Sequence, residues 1–158
     1  MNLRCLLISL LTGLGCFMHV SAKVYDITRY GAKGDSTALN TKAIQRTIDE
    51  CAANGGGTVY FPAGVYVSGT LILRDNIHLF FESGSVLIAS TDVTQFPLQQ
   101  SKMISLRPDN YSLIYAEQKN NITISGNGRI IGQGDKAPYH IYHKDQYANI
   151  IRPKIICL

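Results

Sequence analysis

Cysteine is scarce in this chain of 158 residues, and neither sign of charge dominates. Of the four cysteines, Cys5 and Cys16 lie in an apolar segment near the N-terminus, which leaves Cys51 and Cys157 far apart in the remainder. Two such thiols are too few for a disulfide framework, so we expect both to be buried and free, although an exported chain could oxidise them. The formal net charge of +4 is a mild excess that would suit a polyanionic sugar without indicating one.

A membrane-spanning run is also missing from the sequence. Residues 5–18 are apolar, but they fall short of the roughly 20 residues that cross a bilayer as a helix. Arg4 precedes this run, and small residues at 20–22 follow it before polar sequence begins. The pattern predicts a signal peptide at residues 1–22, cleaved after Ala22, and a secreted or periplasmic protein. A retained membrane anchor is disfavoured because polar sequence follows the apolar run at once. Lipidation at Cys16 is disfavoured because residues 13–15 match the lipobox sequence poorly.

The remaining residues, 23–158, suit one domain, and helical periodicity is convincing at only one place in them. Asn40 is a suitable N-cap, and the glycines at 55–57 end the helix. Residues recurring at three- and four-residue spacing give one apolar face: Ala43, Ile44, Thr47, Ile48, Cys51 and Ala52. Residues 23–30 indicate a first strand, and residues 31–36 a loop.

Short β-strand patterns fill most of the rest. They occupy residues 58–61, 65–67, 70–73, 77–82 and 86–89, and they return at 122–125, 129–131 and 155–158. Residues 90–117 are less regular, and we expect them to include a loop that leaves the regular structure.

A weak internal repeat relates two of these strands. The sequence Asn-Ile-x-aliphatic occurs at Asn76 and again at Asn121, 45 positions later. Such self-similarity in short strands predicts a solenoid of stacked parallel coils, with 45 residues making two coils of twenty-odd residues each. The alternative is an antiparallel sandwich, which is disfavoured because no two-residue Asn-Gly or Asp-Gly hairpin joins two alternating runs.

Several stretches resemble a known family. Residues 30–35, 41–48 and 55–66 are similar to the N-terminal cap of the pectin-lyase-like β-helix superfamily. Residues 69–73, 79–84, 112–116, 126–134 and 152–156 together resemble glycoside hydrolase family 28, the polygalacturonases. The likeness covers nearly all of residues 24–158. One departure is Ile131, where the family usually has a structural aspartate.

The resemblance implies a fold and a place for this chain in it. The fold is all-β, a right-handed single-stranded parallel β-helix with one N-terminal capping helix, its cap at about 23–67 and its coils at about 68–158. The apolar residues 155–158 have no polar cap after them, which predicts a solenoid that is truncated at its C-terminal end.

The resemblance also implies chemistry. Inverting glycosidases use a carboxylic acid and a carboxylate about 6.5–9.5 Å apart. The resemblance to family 28 implies an Asn-Thr-Asp and an Asp-Asp, which supply the carboxyl groups, and also a Gly-His-Gly and an Arg-Ile-Lys. These motifs follow the stretch that residues 152–156 resemble. None occurs here: Asn40-Thr41 precedes Lys42, Arg129-Ile130 precedes Ile131, and no aspartates are adjacent.

We therefore expect the N-terminal fragment of a secreted pectin-degrading hydrolase that cleaves α-linked galacturonan. No catalytic, cofactor-binding or metal-binding residue is assigned, and neither a nucleic acid nor a stable membrane span is expected. The alternatives are a non-catalytic carbohydrate-binding or adhesive β-helix, or another enzyme of the superfamily. A lyase would need a cluster of carboxylates for Ca²⁺, whereas the acidic residues here are scattered.

Other candidate residues have simpler explanations. His140 and His143 lack a third metal ligand at a suitable spacing, so loop histidines are favoured. Asn110 and Asn121 begin formal glycosylation sequons, but Asn121 is better explained as a turn residue. Five tyrosines could stack on sugars, although surface packing is favoured: Tyr111, Tyr115, Tyr139, Tyr142 and Tyr147. Four aspartates beside turn residues are expected to serve those turns: Asp35, Asp75, Asp92 and Asp109.

Overall fold

The computed structural model describes residues 23–99, 111–136 and 153–158. The predicted signal peptide at 1–22 lies outside these ranges. So do several side chains considered above: Asp109, Asn110, Tyr139, His140, Tyr142, His143 and Tyr147.

Short strands and one α-helix make up the described part of the chain. The strands are β1 (Val24–Asp26), β2 (Asp35–Leu39), β3 (Gly57–Phe61), β4 (Gly64–Ser68), β5 (Leu71–Ile72), β6 (Ile77–Phe81), β7 (Ser85–Ala89), β8 (Ser112–Tyr115), β9 (Thr123–Gly126), β10 (Arg129–Ile131) and β11 (Lys154–Cys157). The α-helix is α1 (Thr41–Ala53), and short 3₁₀ helices span Ile27–Tyr30 and Val93–Gln95.

The strands form three parallel sheets. Sheet A has the order β1-β3-β6-β9, sheet B the order β2-β4-β7-β10, and sheet C the order β5-β8-β11. Consecutive strands belong to sheets A, B and C in that order. One coil contains β3, β4 and β5, and the next contains β6, β7 and β8. Every strand pair among the described residues is parallel, which confirms the solenoid and excludes the antiparallel sandwich.

The number of residues per coil differs from the prediction. Thr58 pairs with His78, and His78 pairs directly with Thr123, so the 45 residues between the Asn-Ile repeats make one coil and not two. The reason is that 22 residues, 90–111, separate β7 from β8. They fall within the region 90–117 that the sequence predicted to be less regular, although β8 lies inside that region as well. A second long connection, residues 132–153, separates β10 from β11.

Two local predictions near the N-terminus were wrong. Residues 27–30 form a 3₁₀ helix rather than a continuation of the first strand, because the Asp26 carboxylate accepts the Thr28 N–H at 2.8 Å and caps that helix. The predicted loop contains the start of β2, whose pairing with β4 is irregular between Asp35 and Leu39. Four of the five residues of β2 are polar or small, and Leu39 alone gives no hydrophobic alternation that would reveal the strand.

The helix α1 closes the N-terminal end of the core, as predicted. Its buried residues are Ile44, Thr47, Ile48 and Cys51, all on the predicted apolar face. Asn40 occupies the N-cap position but makes no side-chain cap hydrogen bond. It is buried, accepts the Lys33 N–H at 2.7 Å, and donates to the carbonyls of Lys33 and Ala38. Asn40 therefore holds the preceding loop instead of the helix end.

Inward side chains stack from coil to coil within the sheets. Val59 and Phe61 of β3 lie above Leu79 and Phe81 of β6, and all four are buried. The rings of Phe61 and Phe81 are 4.3 Å apart between centroids. This stacking buries the aliphatic and aromatic rows that drive folding, at about 25 cal/mol for each Å² of apolar surface.

The corner between sheets C and A explains the repeat found in the sequence. Asn76 and Asn121 both adopt a left-handed backbone conformation, with φ of 61° and 57°. The Asn121 side-chain amide donates to the Asn76 side-chain oxygen at 3.0 Å, and the Asn76 N–H donates to the carbonyl of Asn120. Asn121 is thus a turn residue, as predicted, because asparagine tolerates this conformation better than most residues.

Replacing Asn121 with alanine is expected to lower the free energy of unfolding by about 1–2 kcal/mol. The change removes a side-chain hydrogen bond and places an ordinary Cβ residue in the left-handed region. Chemical denaturation followed by circular dichroism measures this loss. The control is Asn127→Ala, an exposed asparagine outside the stack, which should change stability by less than about 0.5 kcal/mol. Equal losses in both variants would contradict a stabilising stack.

Candidate functional site

The outer face of sheet A carries two rows of side chains in register. Alternate residues of a strand face opposite sides of the sheet, so the residues next to the buried ones along each strand face outwards. The first row is Val24, Thr58, His78 and Thr123, and the second is Asp26, Tyr60, Phe80 and Ser125. Both rows run parallel to the solenoid axis, with one side chain from each coil.

His78 links three coils on this face. Its Nδ1 lies 3.3 Å from the Thr58 hydroxyl oxygen on β3. Its Nε2 lies 2.7 Å from the Ser125 hydroxyl oxygen on β9. The imidazole is therefore held by hydroxyl groups on both neighbouring strands and remains half-buried at the surface.

Two aromatic rings lie beside this histidine. Tyr60 and Phe80 are stacked, with ring centroids 6.1 Å apart and planes inclined by 13°. The ring of His78 meets the edge of Phe80 at 5.9 Å. A hydrogen bond to the Glu82 carboxylate raises the pKa of Tyr60 to about 12, with burial and the negative charges of Glu82 and Asp26 adding to the effect. Tyr60 is therefore a neutral phenol at physiological pH, and its ring is fixed at the hydroxyl end.

A groove of about 600 Å³ lies where this face meets the corner between sheets C and A. It is lined by Lys23, residues 54–58, Asn76, His78, Asn121 and Thr123. Among the described residues that line the groove, Lys23 is the one with a positively charged side chain. None of these lining residues is an aspartate or a glutamate. Its ammonium lies 5.0 Å from the centre of the Tyr25 ring. Amide, hydroxyl, imidazole and ammonium groups together can bind hydroxyl groups and attract an anion.

The aspartates that the sequence placed in turns do serve turns. The Asp35 carboxylate accepts the N–H of Ala38 at 2.8 Å, which together with Thr37 lowers the pKa of Asp35. Asp75 accepts the N–H of Asn120 at 2.7 Å, and this hydrogen bond is the main cause of its lowered pKa. The pKa of Asp92 is lowered first by the hydroxyl of Thr94 and then by its N–H. Each hydrogen bond favours the ionised carboxylate, which accepts it.

Of the five tyrosines considered from the sequence, the two that the structure describes, Tyr111 and Tyr115, do not line the groove. Tyr115 is buried, and its hydroxyl donates to Glu117 at 2.5 Å, while Tyr111 packs against the core. The aromatic residues beside the groove are Tyr60 and Phe80, which sequence reasoning missed. The sequence could have shown part of this pair. Tyr60 lies between Val59 and Phe61, so if those two residues are buried, strand alternation places Tyr60 on the outer face.

The two cysteines of the domain differ in their surroundings. Cys51 is buried beneath α1, as predicted, and burial raises the pKa of its thiol to about 11. Cys157 is partly exposed on β11, so the prediction that it is buried was wrong. No trio of histidine, cysteine or acidic residues suitable for a metal occurs in residues 23–99, 111–136 and 153–158. No helix in those ranges is long and apolar enough to span a membrane.

Comparison with known proteins identifies a matching family and several proteins of similar sequence. Residues 24–125 match the family described as rhamnogalacturonase A/epimerase, pectate lyase-like. An exo-poly-α-D-galacturonosidase of Dickeya chrysanthemi is 40% identical over 125 residues, which cover 72% of this chain and 20% of that protein.

Two solved structures share the fold over most of the chain. A family 28 exopolygalacturonase of Yersinia enterocolitica has a TM-score of 0.62 and 33% identity, covering 70% of this chain and 21% of that one. A hyperthermoactive exopolygalacturonase of Thermotoga maritima has a TM-score of 0.63 and 25% identity, covering 70% and 25%. These neighbours confirm the right-handed β-helix and the resemblance to the polygalacturonases.

This chain spans about a fifth to a quarter of the length of those three proteins. The family match extends from β1 into β9, and so takes in α1 and the first coils of all three sheets. The chain therefore belongs to the rhamnogalacturonase A/epimerase, pectate lyase-like family.

Proposed function

We propose that this chain is the N-terminal portion of a secreted pectin-degrading glycoside hydrolase that cleaves α-linked galacturonan with inversion. The observation that carries the proposal is the 40% identity to an exo-poly-α-D-galacturonosidase over 125 residues. A signal peptide at residues 1–22 would export the protein to the compartment where plant polysaccharide is encountered.

In this proposal the catalytic carboxylates lie outside the chain. Inverting hydrolysis needs one carboxyl group to protonate the leaving oxygen and a second to activate water. The carboxylates of Asp35, Asp75 and Asp92 are each occupied by backbone N–H groups of their own turns or of the next coil. Such hydrogen bonds stabilise the ionised form and make these groups poor proton donors.

The role left to residues 23–158 is to begin the solenoid. α1 covers the buried rows at one end, and β9, β10 and β11 are the last strands of their sheets among the described residues. Each later coil of a β-solenoid needs a preceding coil to pair with, since every repeat contacts only its neighbours. This portion would therefore template the coils that hold the acid and the base.

The proposal can be tested by sequencing the gene downstream of codon 158 and by purifying the longer protein that it encodes. We expect that sequence to encode an Asn-Thr-Asp and an Asp-Asp, and the purified product to hydrolyse polygalacturonate. Proton NMR recorded during the first turnovers should show the new reducing end as the β anomer, because inversion of an α linkage gives β. Replacing the first aspartate of the Asp-Asp pair with asparagine is the matched control. An initial α anomer, or an unsaturated product typical of a lyase, would contradict the proposal.

A further inference from the structure

We propose that the groove on sheet A binds an oligosaccharide of uronic acid residues, with a carboxylate beside Lys23 and hydroxyl groups bonded to Thr58 and Thr123, on either side of His78. The inference goes beyond the proposed function, because it needs no catalytic residue.

The charge of the groove favours an anionic ligand. Lys23 is exposed at the first coil, and no aspartate or glutamate of the described ranges lines the groove. The acidic groups nearest in sequence to its lining have other partners, and the nearest to Lys23 is Asp26, whose carboxylate accepts the N–H and the hydroxyl of Thr28 at 2.8 and 2.7 Å. The Glu50 carboxylate accepts from the Asn54 side-chain amide at 3.1 Å, and Asp75 accepts from Asn120 and lies 3.9 Å from the Lys119 ammonium.

The spacing of the groove suits a chain of repeating units. Thr58, His78 and Thr123 are register partners on consecutive strands, which are about 4.8 Å apart in a parallel sheet. Asn76 and Asn121 repeat along the corner with the same spacing. A polymer lying along the solenoid axis therefore meets the same kinds of donors and acceptors once in every coil.

The aromatic pair supplies the apolar part of the site. Tyr60 and Phe80 lie on the same face, two residues further along their strands than Thr58 and His78. Pyranose rings have an apolar face of C–H groups as well as hydroxyl edges. A sugar whose hydroxyl groups bond the hydroxyls of Thr58 and Thr123 can place ring carbons against the half-buried faces of these rings.

Isothermal titration calorimetry of the full-length chain at low ionic strength tests the inference, with tetragalacturonate as the acidic probe and cellotetraose as the neutral one. Lys23→Met should weaken tetragalacturonate binding about tenfold, because it removes a charge-assisted contact. Thr123→Val, which keeps the β-branched shape on an exposed strand position, should weaken it about threefold. Neither change is expected to unfold the protein, since Lys23 pairs with Thr58 through its backbone carbonyl.

Lys42→Met is the matched control, because Lys42 is an exposed lysine on α1 that does not line the groove. It removes the same net charge and should change the affinity less than about twofold. Equal losses in Lys23→Met and Lys42→Met would overturn the inference, as would equal affinity for cellotetraose or no binding of tetragalacturonate at all. Hydrolysis of galacturonan by the longer gene product would still stand in each of those cases, so the two proposals fail separately.

Discussion

Replacing Gly126 with alanine is expected to lower the free energy of unfolding by about 3 kcal/mol or more. Gly126 ends β9 with φ of 109°, a conformation that costs an alanine roughly 1–3 kcal/mol. A Cβ at this position would also lie 2.8 Å from the backbone nitrogen and carbonyl carbon of Phe81, its register partner on β6. Backbone atoms cannot move aside as the end of a flexible side chain can, so strand pairing between β6 and β9 must be disturbed.

Two control variants separate the causes of this loss. Gly55 has φ of 90° but open space around its Cβ position, so Gly55→Ala should show only the conformational cost. Gly134 has open space and no positive φ, so Gly134→Ala should be close to neutral. Thermal unfolding followed by circular dichroism ranks the three variants. A Gly126→Ala loss no larger than that of Gly55→Ala would contradict the close approach of β9 to β6.

Much of the fold could be predicted because its local rules leave signals in the sequence. The buried face of α1 follows helical spacing, and the glycines after it end the helix, so both were visible. The repeated asparagine at the corner between sheets C and A was visible as well. The left-handed backbone conformation at this corner favours asparagine, which occurs there as Asn76 and Asn121 in successive coils. Parallel stacking then follows from the repeat itself.

The coil length could not be predicted, because a repeat distance does not distinguish one extended coil from two compact ones. The 22 residues between β7 and β8 add to the count without adding a strand to sheet A between β6 and β9. Asn40 was misjudged for a related reason. Its side chain could bond either the backbone N–H groups of the helix or the backbone of the preceding loop. The structure shows that it bonds the loop, at Lys33 and Ala38.

The groove was beyond sequence reasoning because its residues come from separate coils. Thr58, His78 and Thr123 are distant in sequence and are aligned only by the register of β3, β6 and β9, and Lys23 precedes β1, whose Val24 continues the same row. None of these residue types is rare, and none forms a local motif. The site therefore becomes visible only after the coil-to-coil pairing is known.

We expect residues 23–158 to form the first coils of the β-helix and not to hydrolyse galacturonan by themselves. General acid and base groups each contribute about 10²–10⁴-fold to such reactions, and the sequence contains neither adjacent aspartates nor an Asn-Thr-Asp. An enzyme of this kind without both groups should release sugar at a rate indistinguishable from buffer.

This expectation can be measured as the release of reducing ends from polygalacturonate by the purified chain, with a family 28 polygalacturonase assayed in parallel. We expect no release above the buffer blank over a day, even at protein concentrations a thousand times those of the positive control. Turnover that remains with the chain through purification to homogeneity, and that disappears when the chain is unfolded, would contradict this expectation.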